Sequence, residues 1–280
     1  MSISRLKGGP SLVLTKPSTG ETTKYTITNF NTPLINLSSF GEWKLTPNST
    51  FYGEMHIWGG GACGDDGTGG GGGYSTGIWK FEPGITYVIW VGEAGFTYSR
   101  RTTTFGGGGY SGPNGYGGGG AGLTGMFKTS VTQANSVIIA GGGGAVWGNG
   151  GIYFGGAGGG TTGGTGTSGG ATGGTQSSGN APLEGGSVTS SLYGNGGGGG
   201  YWGGLAYATG TAGGTRGAGG GSGYIHPGLI NGSTITGSNG SPGNAGSSLR
   251  GTSGQGGGVA GLNQAGNDGR FVLIPVPTPR

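Results

Sequence analysis

Bulky and polar residues alternate in only part of this 280-residue chain. Over residues 52–58, Tyr52, Glu54 and His56 share one parity and Met55 and Ile57 the other, the period of two expected of a half-buried strand. Residues 34–37, 41–45, 74–81, 86–91, 123–128 and 137–140 are further runs of strand length, with turns at Pro47-Asn48 and Pro83-Gly84. A last run, 270–274, stands near the end of the chain, where Pro275, Pro277 and Pro279 are expected to stop pairing and protect an edge. At the start, short β-type runs at 11–14 and 24–28 flank Pro17-Ser18-Thr19-Gly20. Residues 1–31 therefore read as a separate arm carrying Arg5, Lys7, Lys16 and Lys24, either an edge hairpin with a solvated basic face or an attachment arm for a larger assembly.

Between residues 141 and 261 the alternation gives way to glycine, centred on Gly196–Gly200 followed by Tyr201, Trp202, Gly203 and Gly204. Such runs disfavour an α-helix, where glycine costs about 1 kcal/mol per residue. They suit the polyglycine form of the polyproline II helix, with about 3 residues per turn and a rise of ~3.1 Å. That helix has no internal hydrogen bonds, so its N–H and C=O groups need partners on neighbouring segments. The absence of Cβ is what lets those segments come close enough. The late strand 270–274 brings the chain back to the β-structure it leaves near Ala140, so one sheet is expected to fix both ends of the glycine region.

Composition tests that reading, since 83 glycines and 12 prolines would ordinarily point to disorder. Against disorder stand 6 Trp, 12 Tyr and 9 Phe with only 8% charged residues. The expected fold is all-β: a small antiparallel β-sandwich carrying an inserted bundle of polyglycine II helices. Its divisions are the arm 1–31, a β-sandwich with the first glycine loops at 32–140, the bundle at 141–261, and a closing strand with a Pro-rich tail at 262–280. The net charge of +4 is mild and dispersed, which argues against a nucleic-acid partner. Cys63 is alone, so a disulfide framework is not expected. The N-terminus lacks a signal-peptide core, and no apolar run approaches a membrane span.

Several motifs recur in a recognisable order. Trp58-Gly59-Gly60-Gly61 leaves a strand, a glycine run ends at Tyr74, and Pro83-Gly84 precedes Tyr87 with Val91-Gly92 behind it. In this order the chain resembles glycine-rich proteins of bacteriophage virions. The stretches 196–204 and 219–227 are also similar to the glycine-rich domain of anaplastic-lymphoma-kinase-type receptors. The likeness covers about residues 40–275 and implies a β-sandwich with polyglycine II helices. The receptor domains are secreted and rich in disulfides, unlike this chain. The resemblance implies a virion protein made in the host cytoplasm, a tail-fibre or spike component that recognises the host surface. It would be oligomeric in its assembly and joined to other virion proteins through residues 1–31. Alternatives are a decoration or adaptor protein without a receptor, and an ice-binding protein presenting Thr161, Thr162, Thr165, Thr167, Thr172 and Thr175.

Candidate chemistry is sparse. Gly-x-Gly-x-x-Gly carries little information at this glycine content, and no P-loop is present. His56 and His226 have no nucleophile and acid nearby in sequence, and Asp65-Asp66 lacks the further oxygens a hard cation wants. No catalytic residue, metal or cofactor is assigned, and no enzyme activity is expected. Islands interrupt the glycine at 96–105, 145–154, 187–193 and 229–236. They supply the candidates for binding a host glycan or protein: Trp147, Asn149, Tyr153, Tyr193, Tyr98 and Arg100. Tyr201 and Trp202 read as packing.

Overall fold

The structure, a computed structural model, describes residues 9–97, 102–113, 117–148, 153–167, 169–189, 193–209, 216–258 and 264–279. Among them it is almost wholly β, with one 3-10 turn at Gln133–Asn135. The strands are β1 (Ser11–Lys16), β2 (Glu21–Thr26), β3 (Ile35–Leu37), β4 (Gly41–Pro47), β5 (Phe51–Trp58), β6 (Gly64–Asp65), β7 (Tyr74–Phe81) and β8 (Tyr87–Val91). There follow β9 (Thr124–Lys128), β10 (Ser136–Ala140), β11 (Val146–Trp147), β12 (Tyr193–Asn195), β13 (Tyr207–Thr209), β14 (Tyr224–Ile225), β15 (Ile230–Ile235) and β16 (Arg270–Val276). Seven make one sheet in the order β14-β10-β9-β8-β4-β1-β2, and five make a second in the order β15-β7-β5-β16-β3. Every pair within these two sheets is antiparallel. Two small pairs stand apart, β12 with β13 antiparallel and β6 with β11 parallel.

The period of two in β5 is realised: Phe51, Met55 and Ile57 are buried while Tyr52, Glu54 and His56 are half-exposed. One hydrophobic cluster draws on both sheets, with Leu12, Leu45, Ile89 and Met126 from the larger and Met55, Ile57, Phe81 and Leu273 from the smaller. Strands consecutive in the chain change sheet at the expected turns. At Glu82-Pro83-Gly84-Ile85 the Ile85 N–H donates to the Glu82 carbonyl (3.4 Å). Gly84 there takes φ +78°, a backbone open to glycine and strained for other residues.

Four expectations need correction. The described part of residues 1–31 is an edge hairpin of the larger sheet and not a separate arm: β1 pairs with β4, and Leu12, Leu14 and Ile27 are buried in the common core. The glycine region does not start and end on one sheet, since β10 belongs to the larger and β16 to the smaller. Pro275 lies within β16, opposite Gly53. Its carbonyl accepts from Asn31 N–H (2.8 Å), so its ring nitrogen faces the same side, past the end of β3, and no bond to β5 is lost. Finally, residues 229–236 are mostly β15, which fills the free edge of β7.

The glycine-rich segments lie side by side and bond to one another. In 142–145 the N–H groups of Gly142 and Ala145 donate to one neighbour, at Gly199 and Gly196. Gly143 donates to a second neighbour at Gly60, and Gly144 to a third at Gly156. The carbonyls repeat the pattern: Gly142 and Ala145 accept from Gly221 and Ala218, Gly143 from Ala121, and Gly144 from Gly70. All eight bonds are 2.8–3.0 Å. The direction of bonding thus recurs every third residue. The same recurrence holds at 196–199, where Gly196 and Gly199 donate to Gly118 and Ala121, Gly197 to Gly186, and Gly198 to Gly219. None of Gly59, Gly142, Gly143, Gly198 and Gly220 has a positive φ. A Cβ on these five would fall on the carbonyls of Gly141, Ala121, Gly70, Gly142 and Ala157 respectively. Glycine is required there for close approach, not for an unusual backbone.

Candidate functional site

Segment 141–145 leaves β10 and ends in β11, so Trp147 lies at the end away from the sheets. Segment 196–199 runs antiparallel to it, because Gly142 meets Gly199 and Ala145 meets Gly196. That arrangement carries Tyr193 to the same end, where its ring stacks on Trp147 with centroids 6.0 Å apart and planes 15° apart. Tyr153 joins them. Its carbonyl accepts from Thr68 N–H (2.9 Å), and its ring lies where a Cβ on Gly148 would be 2.7 Å from Cδ2. All three aromatics are partly exposed. Below them the backbone is tied down: Val146 N–H donates to Cys63 O (3.2 Å) and Gly148 N–H to Asp65 O (2.9 Å). Nearby, Arg216 lies 5.7 Å from the Tyr207 ring, and Asn195, paired with Tyr207, donates from Nδ2 to the Arg216 carbonyl (2.8 Å). Of the six residues singled out from sequence, Trp147, Tyr153 and Tyr193 are thus brought together. Asn149, Tyr98 and Arg100 lie outside the described residues.

The other polar candidates are engaged elsewhere. His56 Nδ1 is 2.7 Å from the Tyr74 hydroxyl and its Nε2 is 3.5 Å from Glu54. Burial lowers its pKa, against the opposing pull of Glu54. His226 Nδ1 accepts from Gly228 N–H (2.9 Å), and the ring packs edge-on to Trp79. Burial and then the charge of Asp66 raise the pKa of Asp65. Among the described residues no three His, Cys, Asp or Glu side chains group as metal ligands. Cys63 is buried, which raises its thiol pKa far above the ordinary value. Two of the six threonines have their hydroxyls engaged within the chain: Thr167 bonds to the Phe154 backbone and Thr175 to Ser178. Tyr201 stacks on Tyr224 at 4.2 Å, covering the outer face of the larger sheet with Leu183.

A second place escaped the sequence reading. A cleft of about 590 Å³ opens between Phe40, Trp90 and the turns at 103–107 and 182–184. Trp90 forms one wall, its Nε1 donating to Glu42 (3.1 Å), with Phe105 tilted against it at 5.1 Å. Buried Glu93 clamps Phe105: its carboxylate accepts from Phe105 N–H (2.8 Å), and its own N–H donates to Phe105 O (2.9 Å). Asp268 secures the opposite side by accepting from Ala94 N–H (2.8 Å) and Phe40 N–H (3.3 Å). Leu183 holds φ +66° in the turn between Ala181 and Glu184, a conformation costly for a residue with a Cβ. Phe105 ends one of the islands marked in the sequence. The remaining walls come from positions far apart in the chain, and no local pattern connects them.

No protein-family model matches the chain, and no curated protein matches it. Among the described residues, no helix is long and apolar enough to cross a membrane.

Proposed function

We propose that the chain is a virion component, of tail-fibre or spike type, that holds an aromatic recognition surface on a polyglycine scaffold. In this reading the two sheets form a β-sandwich and the glycine segments are polyglycine II helices packed against it. The three-residue recurrence of bond direction at 142–145 and 196–199 supports the helical part, since that is the period of polyglycine II. The cluster drawing on both sheets supports the sandwich. At ~3.1 Å per residue, the six steps from Gly141 to Trp147 span roughly 19 Å.

The observation that carries the functional reading is the stacked pair Trp147 and Tyr193 at the far end of that scaffold. Aromatic rings give large contact area at small entropic cost, and a rigid support limits what must be ordered on binding. The glycine faces offer few side chains with which to discriminate partners. Attachment to other virion proteins is assigned to the first hairpin, whose strand β2 has an exposed outer edge open to strand addition. The test is binding of purified full chain to bacterial cells and envelope fractions. Trp147→Ala with Tyr193→Ala should abolish binding while the melting temperature stays within a few degrees. If the unaltered protein binds no cell or envelope fraction, the decoration or adaptor reading replaces this one. The bonds that Thr167 and Thr175 make internally weigh against an ice-binding face.

A further inference from the structure

The cleft beside Trp90 is a second place where the chain is built to be met. Its walls are held before any ligand arrives. Trp90 cannot swing, because its Nε1 is bonded to Glu42 and its ring is lodged between Phe105 (5.1 Å) and Phe127 (5.8 Å, planes 68° apart). The two rims are bonded directly to each other through Gly185 N–H and Gly107 O (2.7 Å), which sets the width of the opening. Phe40 stands 45% exposed at the mouth, a large apolar side chain that the fold leaves uncovered.

We propose that this cleft binds a neutral pyranose ring. A pyranose has an apolar C–H face and a rim of hydroxyls, and the cleft has the matching division. The Trp90 and Phe105 rings, tilted 57° to each other, make a corner whose negative π-faces receive C–H groups. At the rim, Glu184 and Thr103 are exposed and offer carboxylate and hydroxyl oxygens to the sugar hydroxyls. An anionic ligand is disfavoured, since no lysine or arginine lines the cleft among the described residues and its charged groups are carboxylates. A cationic ligand is served less well than a polyol. The Glu93 carboxylate is already bonded to Phe105 N–H, and the Glu42 carboxylate, behind the wall, to Trp90. The volume of about 590 Å³ lies in the range of small-molecule sites, and the lining mixes aromatic and apolar side chains with carboxylates and hydroxyls, as an amphipathic ligand requires. This site is independent of the aromatic pair at Trp147.

The experiment is titration of the full chain with methyl pyranosides of glucose, galactose, mannose and N-acetylglucosamine, followed by saturation-transfer NMR and calorimetry. Choline and lysine methyl ester form the cationic arm. At least one pyranoside should saturate the protein, and Phe40→Ala and Glu184→Ala should each weaken it by about tenfold, the loss expected when a hydrogen bond to a charged group or an apolar contact is removed. Both side chains are exposed, so the melting temperatures should stay unchanged. Sugar binding lost in Trp147→Ala but kept in Phe40→Ala and Glu184→Ala would place it at the other aromatic surface and overturn the proposal, so failure here is distinguishable from failure of host binding. Saturation by none of the pyranosides, affinity unchanged from the parent in both rim variants, or binding of the cations alone would overturn the proposal.

Discussion

Three glycine-to-alanine replacements separate the two uses that the fold makes of glycine. At Gly198 an added Cβ meets the Gly142 carbonyl, which is backbone and has no free space to move into. Relief requires segments 142–145 and 196–199 to part. The bonds Gly142 N–H to Gly199 and Ala145 N–H to Gly196 then break, and those from Gly198 to Gly219 and from Gly204 to Gly198 are strained. At ~1 kcal/mol net per bond, and more for groups left stranded from water, the loss is roughly 3–6 kcal/mol. Alanine recovers only about 0.4–1 kcal/mol by restricting the unfolded chain. The result is a large share of a stability on the order of 5–15 kcal/mol. For a chain of this size it corresponds to a drop of about 5–10 °C in melting temperature. Gly246 has nothing within 4 Å and no positive φ, so Gly246→Ala should be neutral or slightly stabilising. Gly84 also has open space but φ +78°, and Gly84→Ala should cost about 1–2 kcal/mol. Calorimetry on the three variants gives the order. If Gly198→Ala melts within two or three degrees of Gly246→Ala, close backbone packing at that position is wrong.

Cys63 should be inert to thiol reagents in the native protein and react at the rate of local opening, because its side chain is buried and its thiol held protonated; rapid labelling at neutral pH would contradict this. His56 is kept neutral by burial, so its folded pKa lies below its unfolded value of about 6.5. Its contribution is complete above that pH and is lost as the pH falls through the folded pKa. His56→Gln should therefore flatten the decline in denaturant stability as the pH falls below about 6.5, and parallel curves for variant and parent would refute it.

What the sequence made legible is what local chemistry decides. β5 announces itself because its alternation is strict, and the turn at Pro83-Gly84 because proline presets its first corner and glycine accepts the positive φ of its second. β15 was hidden: its sequence Ile230-Asn-Gly-Ser-Thr-Ile235 has bulky residues only at its ends, and its pairing is decided by the open edge of β7. The hairpin β1–β2 is legible from its turn and two short runs, but its seat beside β4 is not, because only Leu12 and Leu14 mark the face of β1 that meets the core. Aromatic islands pointed to Trp147, Tyr153 and Tyr193, yet not to the fact that two antiparallel glycine segments would stack the first on the third. The cleft was invisible for a related reason. Phe40, Trp90, Phe105 and Glu184 become neighbours only after four distant stretches are assembled.

The bonds of segment 142–145 join it to residues near 60, 70, 121, 156, 198 and 220, and hardly any partner lies close in the chain. Closing such loops loses entropy before any contact repays it, and topologies dominated by distant pairings fold slowly. No single glycine segment can form early, for each is solvated backbone until several neighbours have arrived. Among the strands, β1 with β2 and β9 with β10 close locally, whereas β4 with β8 and β5 with β16 also join distant stretches of chain. The same interdependence acts in reverse. Releasing one segment strands donors and acceptors on up to six others, so opening has to be concerted, and the lifetime of the folded state is governed by the barrier to that joint event.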